Sequence, residues 1–344
     1  MLLTCDDVWF GGWRGPSTLV VTGGRVEFGG PVVPAPSAAS EPEAHIPGVV
    51  LAPFTDSHVH LGLVDAGALV AGGIGRVVDL GWDPEVAGTW PSLTRDPASA
   101  WPEVSVAGPL LTAPNGYPSR SGWAPDTASV AVAAPDDADA VVEGVARAAA
   151  SLVKIALNTD AGPVWDDATL DAVVTAAHAR GLPVFAHAQG LGQVRRAARA
   201  GVDALAHTPF SERLDDDLIA DLARSMAWIS TLDIHRGTAA QDIAVDNLAR
   251  FHRLGGAVLY GTDLGNGALP PGLDGREIAA LAAAGLGLDD VVRALTPGSG
   301  ETGFDTRLVT WLPARPTRLE DLARAAVLSP PALLSLADEQ ELAE

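Results

Sequence analysis

Two histidines one residue apart, His58 and His60, follow an apolar run from Val49 to Phe54. Alternate residues of a strand share a face, so H-x-H at a strand end aims both imidazoles the same way. Two neutral imidazoles side by side supply half of a metal site. Other short apolar runs end in comparable groups: Leu152-Val153-Lys154-Ile155, Val184-Phe185-Ala186-His187, Ala204-Leu205-Ala206-His207 and Tyr260-Gly261-Thr262-Asp263. Four of the eight histidines fall at such places, and packing gives no reason for apolar strands to finish in potential ligands. Of the 22 basic residues, every one but Lys154 is arginine, so an isolated lysine inside an apolar run stands out.

These residues need a scaffold that gathers strand ends. The first fifty residues read as short strands with turns, Ser17 to Thr22, Gly23-Gly24, then Arg25 to Phe28, a good hairpin signal. Pro31 to Pro42 reads as an irregular linker. From Val49 onward, strand-like runs alternate with Ala- and Leu-rich helical stretches, which argues for a parallel sheet with helices outside it. The strand candidates are Val49–Phe54, Arg76–Gly81, Val104–Leu111, Leu152–Leu157, Pro183–Ala186, Asp203–Ala206, Ala227–Leu232 and Ala257–Gly261. Helices are predicted between them, at Ala138–Ala150, Asp167–Arg180, Gln193–Ala200, Asp215–Arg224 and Gln241–Leu254. Eight strands with intervening helices over about 250 residues predict an α/β protein built as a (β/α)8 TIM-like barrel, with chemistry at the C-terminal strand ends. An open doubly wound sheet competes, but no G-x-G-x-x-G follows the first strand.

Composition narrows the partners. The net charge of −21, with carboxylates spread along the chain, opposes nucleic acid and anionic membrane as partners. No run approaches the roughly 18 apolar residues of a membrane helix. The single cysteine, Cys5, rules out an intrachain disulfide and suits a reducing compartment, so a cytoplasmic protein is expected. A small-molecule substrate is the expected partner, and self-association into a homo-oligomer is left open.

The pattern H-x-H, Lys, His, His and G-T-D, on strands 1, 4, 5, 6 and 8, resembles the amidohydrolase superfamily, nearest its imidazolonepropionase-like and Xaa-Pro dipeptidase-like members. The resemblance runs from the N-terminal hairpin to about Phe304. It implies a binuclear centre, commonly zinc, with His58, His60 and Asp263 on the more buried ion, His187 and His207 on the other, and a carboxylated Lys154 bridging them. The residues suit that carry-over. A free ammonium beside two divalent cations is repelled, whereas a carbamate, made from Lys154 and carbon dioxide, can give an oxygen to each. Two ions bring a bridging water toward a pKa of about 7, and one can polarise a carbonyl. Asp263 then serves as general base and acid. The expected reaction is hydrolysis of a C–N bond in an amide, peptide or lactam.

Substrate contacts are sought in the loop after strand 3, Pro114-Asn115-Gly116-Tyr117-Pro118-Ser119-Arg120, where relatives often carry a histidine and this chain offers Asn115 or Tyr117. The same stretch reads equally as a turn. Arg120 could bind a substrate carboxylate, and His235, after strand 7, could reach the pocket. His178 and His252 lie near helix ends, where an imidazole complements the helix dipole. Residues 1–50 and 305–344 are expected to build a small accessory β domain around the barrel of 51–304, the C-terminal part being one strand near Arg307–Pro313 and a tail. Two other readings stay open: a mononuclear deaminase, which wants a Glu at position 190 where this chain has Gly, and a barrel that serves only as a scaffold.

Overall fold

The computed structural model describes residues 1–31, 44–95, 99–298 and 304–341. The strands in chain order are β1 (Leu2–Trp9), β2 (Ser17–Thr22), β3 (Arg25–Pro31), β4 (Ala44–Leu51), β5 (Thr55–Val59), β6 (Arg76–Asp79), β7 (Glu103–Val106), β8 (Leu110–Thr112), β9 (Ser129–Ala131), β10 (Val153–Asn158), β11 (Val184–Gln189), β12 (Ala204–Leu205), β13 (Ala227–Ile229), β14 (Ala257–Leu259), β15 (Asp305–Thr306), β16 (Val309–Leu312) and β17 (Ala326–Leu328). They form three sheets. Both ends of the chain contribute to the first, in the order β15-β3-β2-β1-β4-β16-β17. The other two are parallel, β5-β6-β7 and β14-β13-β12-β11-β10-β8-β9.

The two parallel sheets touch at both seams. On one side Ser57 N donates to Tyr260 O (2.8 Å) and His60 N to Leu264 O (2.7 Å); on the other Ser151 N donates to Val106 O (2.8 Å). The first seam demands close backbone approach. A Cβ at Gly261 would lie 2.3 Å from the Ile229 side chain and 3.1 Å from the His58 amide nitrogen, so only glycine fits there.

Helices follow the predicted stretches closely: Ala138–Arg147, Asp167–His178, Gln193–Ala200, Asp216–Ser225 and Ala239–Arg253. Part of the chain's acidity works at helix starts. Asp65, Asp83, Asp166, Asp215 and Asp274 are N-caps whose carboxylates accept backbone N–H bonds from the first turn. Such caps satisfy orphan donors and place negative charge at the positive end of the helix dipole. Among the described residues no helix is long and apolar enough to cross a membrane.

Three expectations need correction, and one strand is new. Val49–Leu51 is not the first strand of the parallel system: it belongs to β4, paired with β1 and β16 in the terminal sheet, and the chain turns through Pro53 before β5 begins. Val104–Leu111 is two strands, because Gly108, at φ 70°, and Pro109 interrupt the ladder; β7 pairs with β6 and β8 with β10. β9, parallel to β8, was not anticipated. The tail forms a helix, Pro330–Glu341, which sends Leu333 and Ala337 into the core of the terminal sheet beside Leu3, Ile46 and Val309. Apart from Pro31, which ends β3, the predicted linker lies outside the described residues.

Candidate metal centre

Lys154 and Asn158 sit four residues apart on β10, and His187 and Gln189 two apart on β11, so each pair shares a strand face. His58 lies in β5, with His60 just beyond its end; His207 and Asp263 follow β12 and β14. One cavity is lined by His58, His60, Lys154, His187, His207 and Asp263, with Tyr117, Trp123, Leu110 and Asn266 completing its wall. All six sequence-derived ligands thus face a common space. Ring centroids of His58 and His207 are 4.7 Å apart, and those of His187 and His207 4.8 Å.

The donor set around Asp263 is electron-rich. His58 Nδ1 lies 2.7 Å from Ala206 O and His60 Nδ1 3.3 Å from Gly81 O. A carbonyl oxygen only accepts, so each Nδ1 carries the proton and each Nε2 presents a lone pair. Those Nε2 atoms are 3.1 and 3.2 Å from Asp263 Oδ1. That oxygen is buried and receives no hydrogen bond. Three acceptors converge within 4.8 Å with no proton to share, an arrangement that suits a cation. Asp263 adopts the left-handed conformation (φ 58°), and Asn266 Nδ2 donates to its Oδ2 (3.0 Å).

Burial sets the charge states. It pushes the imidazole of His58 down to about 4 and that of His187 to about 3, and holds His207 well below the usual range, so these rings are neutral. It pushes the Lys154 ammonium from 10.5 to about 7, against the pull of Asp263 and Asp79. Burial opposes ionisation of Asp263, and the hydrogen bond that Asn266 Nδ2 donates to its Oδ2 favours it. The Tyr117 hydroxyl is pushed up to about 12 by burial and by the charge of Asp263, so it stays protonated.

Supporting residues that sequence reasoning missed surround these ligands. Asp56 accepts from His58 N (3.1 Å), Thr262 N (3.0 Å) and Thr262 Oγ1 (2.5 Å), tying β5 to the segment that delivers Asp263. It stands two residues before His58, so the alternation that exposed H-x-H could have flagged it. Thr231 Oγ1 meets His207 Nδ1 at 2.9 Å from a backbone φ of 43°, a conformation a β-branched residue adopts only under constraint. Trp123 lies over His60 (4.5 Å between centroids), and nothing in its sequence context signals this.

The weaker candidates divide. Tyr117 stacks on His187 at 5.0 Å and lines the cavity. Asn115 and Arg120 do not: Asn115 takes a left-handed turn position (φ 61°), and its Oδ1 accepts from the Arg120 guanidinium (2.6 Å) on the exposed side of the loop. His235 packs on Phe210 (4.0 Å), which edges toward His207; its Nε2 is buried without a partner.

Neither a protein-family model nor a curated protein sequence matches the chain. Its fold is similar to that of several solved structures. A Xaa-Pro dipeptidase with bound methionine in the active site matches at 15% identity over 96% of this chain and 98% of that one, with a TM-score of 0.72. An ochratoxinase from A. niger matches at 16% identity over 93% and 91%, with a TM-score of 0.73. A bottromycin amidohydrolase matches at 20% identity over 100% and 90%, with a TM-score of 0.63. The chain therefore shares the fold of these structures.

Proposed function

We propose that the protein is a binuclear metal-dependent amidohydrolase that cleaves a C–N bond of a small molecule, an amide, peptide or lactam. The two parallel sheets are read as one (β/α)8 barrel over residues 51–304, and the terminal sheet as a small accessory domain from residues 1–50 and 305–344. The observation that carries the reading is the unprotonated convergence of His58 Nε2, His60 Nε2 and the undonated Asp263 Oδ1. Those three would hold one divalent ion, zinc in our reading, and His187 and His207 a second. Lys154, as its carbamate, would bridge them; burial already favours the neutral amine that carbon dioxide needs. Once bound, the ions would supply an activated water at neutral pH and Lewis acidity toward a carbonyl.

The chain's own groups do the rest. Asp263, ionised and steadied by Asn266, can take a proton from the attacking water and return it to the leaving nitrogen. Tyr117, protonated throughout the working range, can donate to the substrate but not remove a proton. The rings of Tyr117 and Trp123 cover His187 and His60 and limit access of bulk water. Position 190 disfavours a deaminase: Gly190 has φ 99°, and a Cβ there would fall 1.8 Å from Thr159 Oγ1, leaving no room for the acid/base Glu.

Metal analysis of zinc-loaded protein tests this directly. About two ions per chain are expected; about one would favour a mononuclear deaminase, and none a scaffold. Hydrolysis would then be screened across dipeptides, N-acyl amino acids, lactams and lactones, in a protein whose lone buried cysteine suits the cytoplasm.

A further inference from the structure

We infer that Asn158 and Gln189 are positioning residues that decide which nitrogen of His187 carries its proton, and so which is free to bind an ion. The functional consequence rests on the two-ion reading above; the proton placement does not. Asn158 and Gln189 stand directly opposite each other in the β10–β11 register, two residues beyond the Ala156–His187 pair. The orientation of both amides is fixed by third parties. Asn158 Oδ1 accepts from the backbone N–H groups of Asp160 and Ala161, each at 3.1 Å, so its Nδ2 must face His187. Gln189 Nε2 donates to Asp160 Oδ2 at 3.1 Å, so its Oε1 must face His187. His187 Nε2 therefore meets a donor and an acceptor at once, Asn158 Nδ2 at 3.1 Å and Gln189 Oε1 at 3.1 Å, and Asn158 Nδ2 also donates to Gln189 Oε1 at 3.0 Å.

This arrangement differs from that of His58 and His60, whose Nδ1 atoms face carbonyl oxygens, which accept only. His187 has two satisfied tautomers. With the proton on Nδ1, Nε2 accepts from Asn158; with the proton on Nε2, it donates to Gln189 and Nδ1 is bare. Among the described residues no hydrogen bond engages Nδ1, and the ring lines the cavity. An ion taken by His187 Nδ1 is compatible only with the second form. Gln189 then supplies the outer hydrogen bond that orients a ligating imidazole, while Asn158 favours the form that cannot ligate through Nδ1. The amide pair makes occupancy of this ligand reversible by moving one proton across the ring.

The test uses the full chain labelled with ¹⁵N-histidine, in which long-range ¹H–¹⁵N correlations report the tautomer of each ring. In metal-free protein, Gln189→Leu removes the acceptor alone and should place the His187 proton on Nδ1. Asn158→Asp, the all-acceptor variant, removes the donor to His187 Nε2 and should place the proton there; if that variant does not fold, Asn158→Leu removes the same donor without adding a charge and leaves the Gln189 acceptor in place. The same tautomer in the two kinds of variant overturns the inference. On zinc titration, Gln189→Leu should bind the weaker ion about 10–100-fold less tightly than the parent, whereas the all-acceptor variant should not weaken. Equal zinc affinity in Gln189→Leu and the parent overturns the functional half. If the parent takes up no zinc at all, the two-ion reading fails while the tautomer comparison still decides the role of the amides.

Discussion

Lys154 offers a prediction whose size can be worked out. Its side chain is 1% exposed, and burial takes its pKa from 10.5 in an open chain to about 7 in the folded protein. Between those two values the unfolded chain holds a proton that the folded chain has shed, so stability rises with pH across that interval. Below about pH 7 both states are protonated and the cost of burying the ammonium is present in full. Each pH unit in the interval is worth about 1.4 kcal/mol, hence about 5 kcal/mol between the limits. Lys154→Met keeps an unbranched, flexible side chain and removes the titration. In chelator-treated protein in buffer depleted of carbon dioxide, the Met variant should be the more stable near pH 7. That advantage should shrink by about 2 kcal/mol between pH 7 and 9. Urea unfolding at several pH values measures it. With zinc and bicarbonate the order should reverse, because only the parent can form the carbamate. A stability difference that does not change between pH 7 and 9 would refute the claim that an uncharged amine is what this cavity prefers.

Three further outcomes are expected. Lys154→Ala should lose the ion pair and hydrolysis together, with part of the activity returned by a small added carboxylate; full activity without one rules out the carbamate. Thr231→Gly should relieve about 1–2 kcal/mol of left-handed strain, largely offset by the greater freedom of glycine in the unfolded chain. Its melting temperature should therefore move little while ion affinity drops about 10-fold or more, and Thr231→Ser should recover the affinity; unchanged affinity in the Gly variant would show that the contact with His207 is incidental. Asp56→Asn keeps one acceptor but cannot accept from the Thr262 hydroxyl, so chemical denaturation should show a loss of about 1–3 kcal/mol, together with weaker binding of the first ion; a variant that matches the parent in both would remove Asp56 from the support of the site.

The convergence of the candidate ligands on one cavity was legible because each combines a chemically distinctive residue with a position at the end of an apolar strand, and strand alternation tells which way it points. His58 and His60 illustrate this: two-residue spacing alone placed both Nε2 atoms on one side, where the structure finds Asp263. Sheet membership was less readable. The run Val49–Phe54 is apolar throughout, yet its first part lies in the terminal sheet and its last residue hands over to β5, with Phe54 N donating to Thr310 Oγ1 between the two. Hydrophobicity reports burial without saying in which core. Trp123 and Gln189 escaped notice for another reason: their roles come from contacts across loops and strands, to His60 in one case and to Asn158 and Asp160 in the other, and no local spacing encodes those.

The seam between β5 and the segment after β14 bears on how the chain reaches its working state. Asp56 and Thr262, which bond across it, are 206 residues apart. A nascent chain that has emerged only as far as β13 already contains His58, His60, Lys154, His187 and His207, yet lacks Asp263, the carboxylate that would complete the trio. In the two-ion reading, strong ion capture would thus be deferred until the segment after β14 has docked against β5. So distant a contact is slow to form because of the loop it must close, and the ion would reward that closure. Metal uptake during refolding should accordingly report formation of the seam between β5 and the segment after β14, lagging behind the appearance of helix.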